Sequence, residues 1–259
     1  MRVAVLNDIH GNLPALEAVL SEVRQHDIDQ IVVGGDVFPG PMPRETLEYL
    51  LGLELPVRFI YGNGELAMLA QMAATDPSEV TYWGTTSGFV LPEPLRELMR
   101  WSARQLYPDY QQLLASWPMT LRLAIDGLGE VLFCHGTPRS EVEVFTRLTP
   151  EAPLLPVFEG LNVAVVVCGH THMQFDRTIG STRVINAGSV GMPFGEPGAD
   201  WLLLGPDVHF RHTTYDFTKA ATRIRATSYP QAEDFAANGI LRPPAEAAML
   251  EQFTFVSFR

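Results

Sequence analysis

Residues 2–12 read RVAVLNDIHGN: a short apolar strand, Arg2–Leu6, that runs directly into a polar loop, Asn7–Asn12. The segment after it, LPALEAVLSEVRQH, places Leu13, Leu16, Val19, Leu20 and Val23 at helical spacing. Pro14 falls in the first turn, where its missing amide hydrogen is tolerated. The same order of strand, loop and helix recurs downstream. Gln30–Val33 ends in Gly34-Gly35-Asp36 ahead of helix-like sequence at Arg44–Leu51, and Val57–Tyr61 runs into Gly62-Asn63-Gly64-Glu65. Such units predict parallel strands joined by right-handed crossovers, with functional residues on the loops beyond the strands' carboxyl ends. Asp8, Asp36 and Asn63 all fall there.

The rest of the chain is less repetitive. Helical stretches at Pro94–Leu106 and Tyr110–Trp117, with a Gly/Thr-rich turn at Trp83–Gly88, make residues 66–119 a helical insertion beside the sheet. Strand character returns at Leu121–Ile125 and Val131–Cys134 around the turn signal Asp126-Gly127, then at the β-branched run Val163–Cys168. Two hairpins follow, Phe175–Ile179 with Arg183–Asn186 and Trp201–Leu204 with His209–Thr213. Residues 214–259 read as a C-terminal helical segment broken at Pro230 and Pro243-Pro244. No linker divides residues 1–259, so one α/β domain is expected.

Composition narrows the partners. Thirty acidic against 18 basic residues give a net charge of -12, which repels double-stranded nucleic acid and anionic membranes. A phosphorylated small molecule remains compatible where bound cations reverse the local field. No stretch approaches the roughly 20 apolar residues of a membrane span. The N-terminus lacks a secretory signal pattern, so a cytoplasmic location is expected. Cys134 and Cys168 suit a reducing compartment as small packed thiols.

Five motifs lie at strand ends: Asp8-Ile9-His10, Gly35-Asp36, Gly62-Asn63, His135-Gly136 and Gly169-His170-Thr171-His172. Each brings oxygen or imidazole donors, a mixture that divalent transition ions accept. Residues two apart in extended chain point the same way, so Asp8 with His10, and His170 with His172, can converge on metal ions. Singly the motifs are weak. Asp-x-His can cap the next helix, Gly-Asp is a common turn, and His135 alone fits a satisfied core histidine. His-Thr-His is stronger, because paired imidazoles after an apolar strand are costly without a partner. Jointly, in strand-terminal register, the motifs point to a metal centre.

This arrangement resembles the calcineurin-like metallophosphoesterase superfamily, with the small prokaryotic phosphodiesterases nearest. The similarity runs from Met1 to about His212 and includes the loop Asn186-Ala187-Gly188-Ser189-Val190-Gly191. It implies a four-layer αββα sandwich of two mixed β-sheets flanked by helices. It also implies two divalent ions, manganese foremost, with iron, zinc, cobalt or nickel also suited to the donors. On this resemblance Asp8, His10 and His172 bind the first ion, Asn63, His135 and His170 the second, and Asp36 bridges them. A water held between the ions then becomes the nucleophile of phosphoester hydrolysis. Asp36, Asn63 and His135 form the implied catalytic set.

Asn63, Asn12 and Arg139 are the candidate substrate contacts. Asn12 equally suits a helix N-cap, and Arg139 a solvated surface charge.

The third motif departs from the family. Many members carry a histidine after Gly-Asn as the general acid, and here that position is Gly64. General acid catalysis is commonly worth about 10²–10⁴-fold, so the enzyme cleaves esters with stable leaving groups, or another residue or water protonates the product, or catalysis is weak. The first two are expected, for phosphodiesters, as the branch resemblance implies. On this reading Gly64→His should help poor leaving groups most. Glu65 is either a substitute acid or a carboxylate at a helix N-terminus.

The phosphoprotein phosphatase branch fits less well. Its Gly-Asp continues into Asp-Arg-Gly, whereas this chain has Val37-Phe38-Pro39-Gly40. A non-catalytic metal-binding scaffold or interaction protein on the same fold, like the small retromer subunit, is the alternative from another class. A retired site should have lost ligands, and all seven are present. The natural substrate, the metal and the oligomeric state are not set by the sequence.

Overall fold

The computed structural model describes residues 1–74, 76 and 92–254; the expected turn at Trp83–Gly88 lies outside them. The chain opens β1 (Val3–Leu6), α1 (Leu13–Val23), β2 (Gln30–Gly34), α2 (Pro43–Leu51), β3 (Val57–Ile60), α3 (Asn63–Ala73). Strands β1, β2 and β3 are parallel, as the repeated units predict. Helices α4 (Glu93–Gln105) and α5 (Asp109–Ala115) follow. Just past α5, Trp117 stacks on Phe59 of β3 with ring centroids 4.5 Å apart.

The second half supplies β4 (Thr120–Ile125), β5 (Gly129–Cys134), a short α6 (Leu155–Phe158), β6 (Val165–Cys168), β7 (Phe175–Ile179) and β8 (Thr182–Asn186). The expected hairpin β9 (Ala199–Leu204) and β10 (Val208–Thr213) does not join them. It returns to the first sheet, where β9 pairs antiparallel with β1. The result is two mixed five-stranded sheets, ordered β10-β9-β1-β2-β3 and β4-β5-β6-β8-β7.

Alternation along the strands sorts the core into layers. Val3 and Val5 of β1 pack with Phe133, Val165 and Val167 between the sheets, while Ala4 and Leu6 face α1 and α2 on the outside. On the second sheet Val166 and Cys168 turn outward against Phe145 and Phe158. Helix, sheet, sheet and outer cluster thus give the four-layer sandwich. Cys134 and Cys168 are free and buried in the outer cluster, and burial raises both thiol pKa values.

The C-terminal segment forms α7 (Phe217–Arg225), a short α8 (Ala232–Asp234) widening into a π-helical stretch at Phe235–Leu241, and α9 (Glu246–Thr254). Ala220, Ala221, Ile224 and Phe235 pack on Leu98 of α4, so this segment has its own small core.

Candidate metal centre

Every predicted ligand lies beyond the carboxyl end of a β-strand. Asp8 and His10 follow β1, Asp36 follows β2, Asn63 follows β3, His135 follows β5, and His170 and His172 follow β6. Both sheets aim these ends at one place. The donor atoms form two groups, Asp8/His10/His172 and Asp36/His135/His170, with the atoms of each group within 4.8 Å of one another. Asn63 joins the second group, its Oδ1 3.1 Å from His135 Nε2. Asp36 reaches both, Oδ2 at 3.9 Å from His10 Nε2 and Oδ1 at 3.5 Å from His135 Nε2. Asp8 Oδ1 is similarly central, 3.3 Å from His172 Nε2 and 3.9 Å from the Nε2 atoms of His10 and His135. That oxygen is buried without a well-formed hydrogen bond.

The backbone carries its own signature. Asp8, His10, Asp36, His170 and His172 all have left-handed φ, from +48° to +67°; the only other non-glycine residue of this kind among those described is Asn162. Such residues cost of order 1–3 kcal/mol each and persist only where the surroundings impose them. Here the first two loops are zipped together, with Asp8 N, His10 N and Gly11 N donating to the carbonyls of Gly35, Asp36 and Val37 at 3.1, 3.0 and 2.8 Å. The Asn186–Gly191 loop fixes the others. Asn186 Nδ2 donates to Gly169 O at 2.6 Å, and Ser189 Oγ donates to Asp8 O at 2.7 Å.

Carbonyls orient the imidazoles. His10 Nδ1 donates to Pro39 O (3.3 Å), His135 Nδ1 to Gly34 O (3.0 Å) and His172 Nδ1 to Met192 O (2.9 Å), which turns each Nε2 toward the carboxylates. Burial works against charge throughout the centre, and the partners decide each outcome. For His135 the Asp36 and Asp8 carboxylates overcome burial and lift the pKa to about 10; Asp8 likewise raises His172. Burial and the neighbouring His135 hold His170 down to about 4, and burial with His172 lowers His10. Asp8 and Asp36 are lowered despite burial by the imidazoles around them.

Position 64 overturns one sequence expectation. A Cβ on Gly64 would lie 2.0 Å from the Phe38 carbonyl oxygen and 2.9 Å from Asp36 Oδ1. Gly64 N also donates to Asp36 Oδ1 at 2.7 Å. Backbone therefore fills the space a histidine there would need, and Gly64→His cannot simply restore an acid. Glu65 is not a substitute acid either. It is fully buried and accepts four backbone N–H groups, from Asp36, Val37, Phe38 and Gly62. Burial and the Asp36 carboxylate push its pKa up to about 7. The helix-start reading placed Glu65 at the N-terminus of α3 and foresaw none of the bonds to the Asp36 loop.

Among the substrate candidates, Asn63 stands within the centre. Asn12 is fully buried, accepts Ala15 N at 3.2 Å as the α1 cap and donates to Gly191 O at 2.8 Å. Arg139 donates from Nε and Nη2 to Glu143 Oε1 at 2.8 and 2.6 Å in a half-exposed ion pair. The cap and surface-charge readings describe these contacts. The other histidines stand apart: His212 pairs with Asp200, His26 lies near Trp201, and His209 is exposed.

Oxygen and imidazole donors, Nε2 atoms turned inward and an unbonded buried carboxylate oxygen fit divalent ions. Comparison with known proteins agrees. An uncharacterized protein of Methanocaldococcus jannaschii is 24% identical over 250 residues, covering 88% of this chain and 94% of the relative. The crystal structure of a metallophosphoesterase from Sphaerobacter thermophilus is similar at TM-score 0.67 and 26% identity, over 93% of this chain and 99% of that one. A symmetrical bis(5'-nucleosyl)-tetraphosphatase of Pseudomonas syringae is 32% identical over 113 residues, 42% of this chain and 37% of the relative. No helix among the described residues is long and apolar enough to cross a membrane. The family profile of the calcineurin-like phosphoesterase superfamily domain matches residues 1–205, and the chain belongs to that superfamily.

Proposed function

We propose that the protein is a dinuclear metal-dependent phosphodiesterase acting on a small phosphorylated molecule. The observation that carries this reading is the pair of donor groups, built largely on left-handed residues and packed into one centre. Asp8, His10 and His172 would hold the first ion, Asn63, His135 and His170 would hold the second, and Asp36, which lies near both groups, would serve both. Two divalent ions supply Lewis acidity and an activated water to phosphoester hydrolysis. The chain's own part is to fix the donors: Pro39, Gly34 and Met192 carbonyls set the ring orientations, and the zipped loops hold the carboxylates. Asn63 Oδ1 is held near His135 Nε2, which places its amide within the centre.

Residue 64 offers no proton and the Phe38 carbonyl occupies the space above it, and the preference for diesters among its substrates follows the resemblance to the small phosphodiesterases. Leaving groups that depart as stable anions suit such a site. The partial similarity to a dinucleoside tetraphosphatase supports a nucleotide-sized substrate.

The test is metal analysis joined to hydrolysis of matched phosphomonoester and phosphodiester panels. Two equivalents of metal with faster diester turnover are expected; full metal loading with no hydrolysis of either panel would end the reading in favour of a scaffold. Asp36→Asn should lose both metal and turnover.

A further inference from the structure

We propose that Glu65 is the positioning residue of the metal centre, a buried carboxylate that fixes the Asp36 loop and the Asn63 turn before any ion binds. The inference rests on the two-ion reading above. Glu65 Oε1 accepts Val37 N at 2.8 Å and Phe38 N at 3.3 Å, and Oε2 accepts Asp36 N at 2.8 Å and Gly62 N at 2.7 Å. One donor belongs to the start of Glu65's own helix. The other three come from a loop 27–29 residues earlier. An ordinary helix cap would have no use for them.

The chemistry of the side chain matters. Both Glu65 oxygens serve as acceptors, whereas a glutamine amide would turn one of them into a donor. In Glu65→Gln two buried N–H groups would face an NH₂ group. The Asp36 loop needs such an anchor because Asp36 is held left-handed at φ +50° and sits close to the Asp8 carboxylate's field. Glu65 adjoins Gly64, whose N–H binds Asp36 Oδ1, so backbone and carboxylate of the same ligand are gripped from one helix start. With its oxygens fully engaged and no exposed surface, Glu65 touches neither ion nor substrate.

Three measurements on the full chain decide the matter. In the chelator-treated protein, amide hydrogen exchange at residues 36–38 and 62 should be as slow as in β1. Exchange at exposed-loop rates would overturn the proposal without any variant. Next, cobalt(II) titration followed by its absorption band should show Glu65→Gln binding about 10–100-fold more weakly than wild type, the usual cost of losing a partner that orients ligands. Ile224→Ala, in the core formed by α7, serves as an equally destabilised control with wild-type affinity. Cobalt affinity in Glu65→Gln within twofold of wild type, or a matching loss in Ile224→Ala, would overturn it. A wild-type protein that binds no cobalt ends the two-ion reading itself, whereas binding indifferent to Glu65 ends only the positioning role.

Discussion

His10 Nε2 and His172 Nε2 lie 3.1 Å apart, although 162 residues separate them in the chain. Neighbouring ligands held about 2.0–2.1 Å from one transition ion stand roughly 3.0–3.4 Å apart, so the pair is already spaced for a shared cation. Burial and His172 lower His10, whereas Asp8 raises His172, so of the two rings His172 holds a proton more readily. His172→Ala should therefore remove one equivalent of metal and weaken its binding about 100-fold or more, beyond the cost of losing an outer partner. Calorimetric titration measures this, and two equivalents bound at unchanged affinity would refute the assignment.

Protons and metals compete for the same nitrogens. His135, raised to about 10, is protonated at pH 7, Asp8 raises His172 in the other donor group, and His170, lowered to about 4, is neutral. Loading both ions near pH 7 should release protons, that of His135 among them, so apparent affinity should rise with pH. Calorimetry in buffers of different ionisation enthalpy counts them; a pH-independent affinity would contradict the scheme.

The same imidazolium sets the pH response of the metal-free fold. His135 has a folded pKa of about 10 against 6.5 for the free side chain. Its contribution to stability is complete below 6.5 and fades as pH climbs toward 10. Chelator-treated protein should thus melt at progressively lower temperature over that range, and the loaded protein should lose less. Parallel melting curves would argue against it.

Gly64→Ala tests the crowding at the third motif. Its Cβ would press on the Phe38 carbonyl oxygen at 2.0 Å, forcing the Asp36 loop to shift. Overpacking of this kind costs about 1–3 kcal/mol. A lower melting temperature and weaker metal binding are expected; wild-type values for both would show that the loop gives way freely.

Asn12→Ala separates cap from substrate contact. Losing the bonds to Ala15 N and Gly191 O should cost about 1–2 kcal/mol of stability. KM for the best diester should stay unchanged. A raised KM at normal stability would return Asn12 to the substrate site.

Much of this architecture is written locally. Val3, Val5, Ala4 and Leu6 alternate between two cores, and Asp or His next to glycine at strand ends marks the loops. The sorting of strands into two sheets is not local. Val165–Val167 is apolar on both faces, so it would read alike in either sheet, and β9 finds β1 across nearly the whole domain. Glu65 was illegible for a similar reason. A carboxylate in a first helical turn looks the same whether it caps its own helix or reaches a loop 29 residues away. The carbonyls that orient the histidines leave no side-chain mark at all. Their signal is only the Gly, Pro and Met to which they belong.

The five left-handed ligands set folding and chemistry against each other. Glycine is the residue that relaxes such a backbone, so ligand-to-glycine changes at Asp8, His10, Asp36, His170 or His172 relieve strain while deleting a donor. Drift under selection for stability alone would erode the centre at these five places first. Thermostability screens on this chain should be read with that in mind: the easiest gains in melting temperature would come from variants that have stopped holding metal.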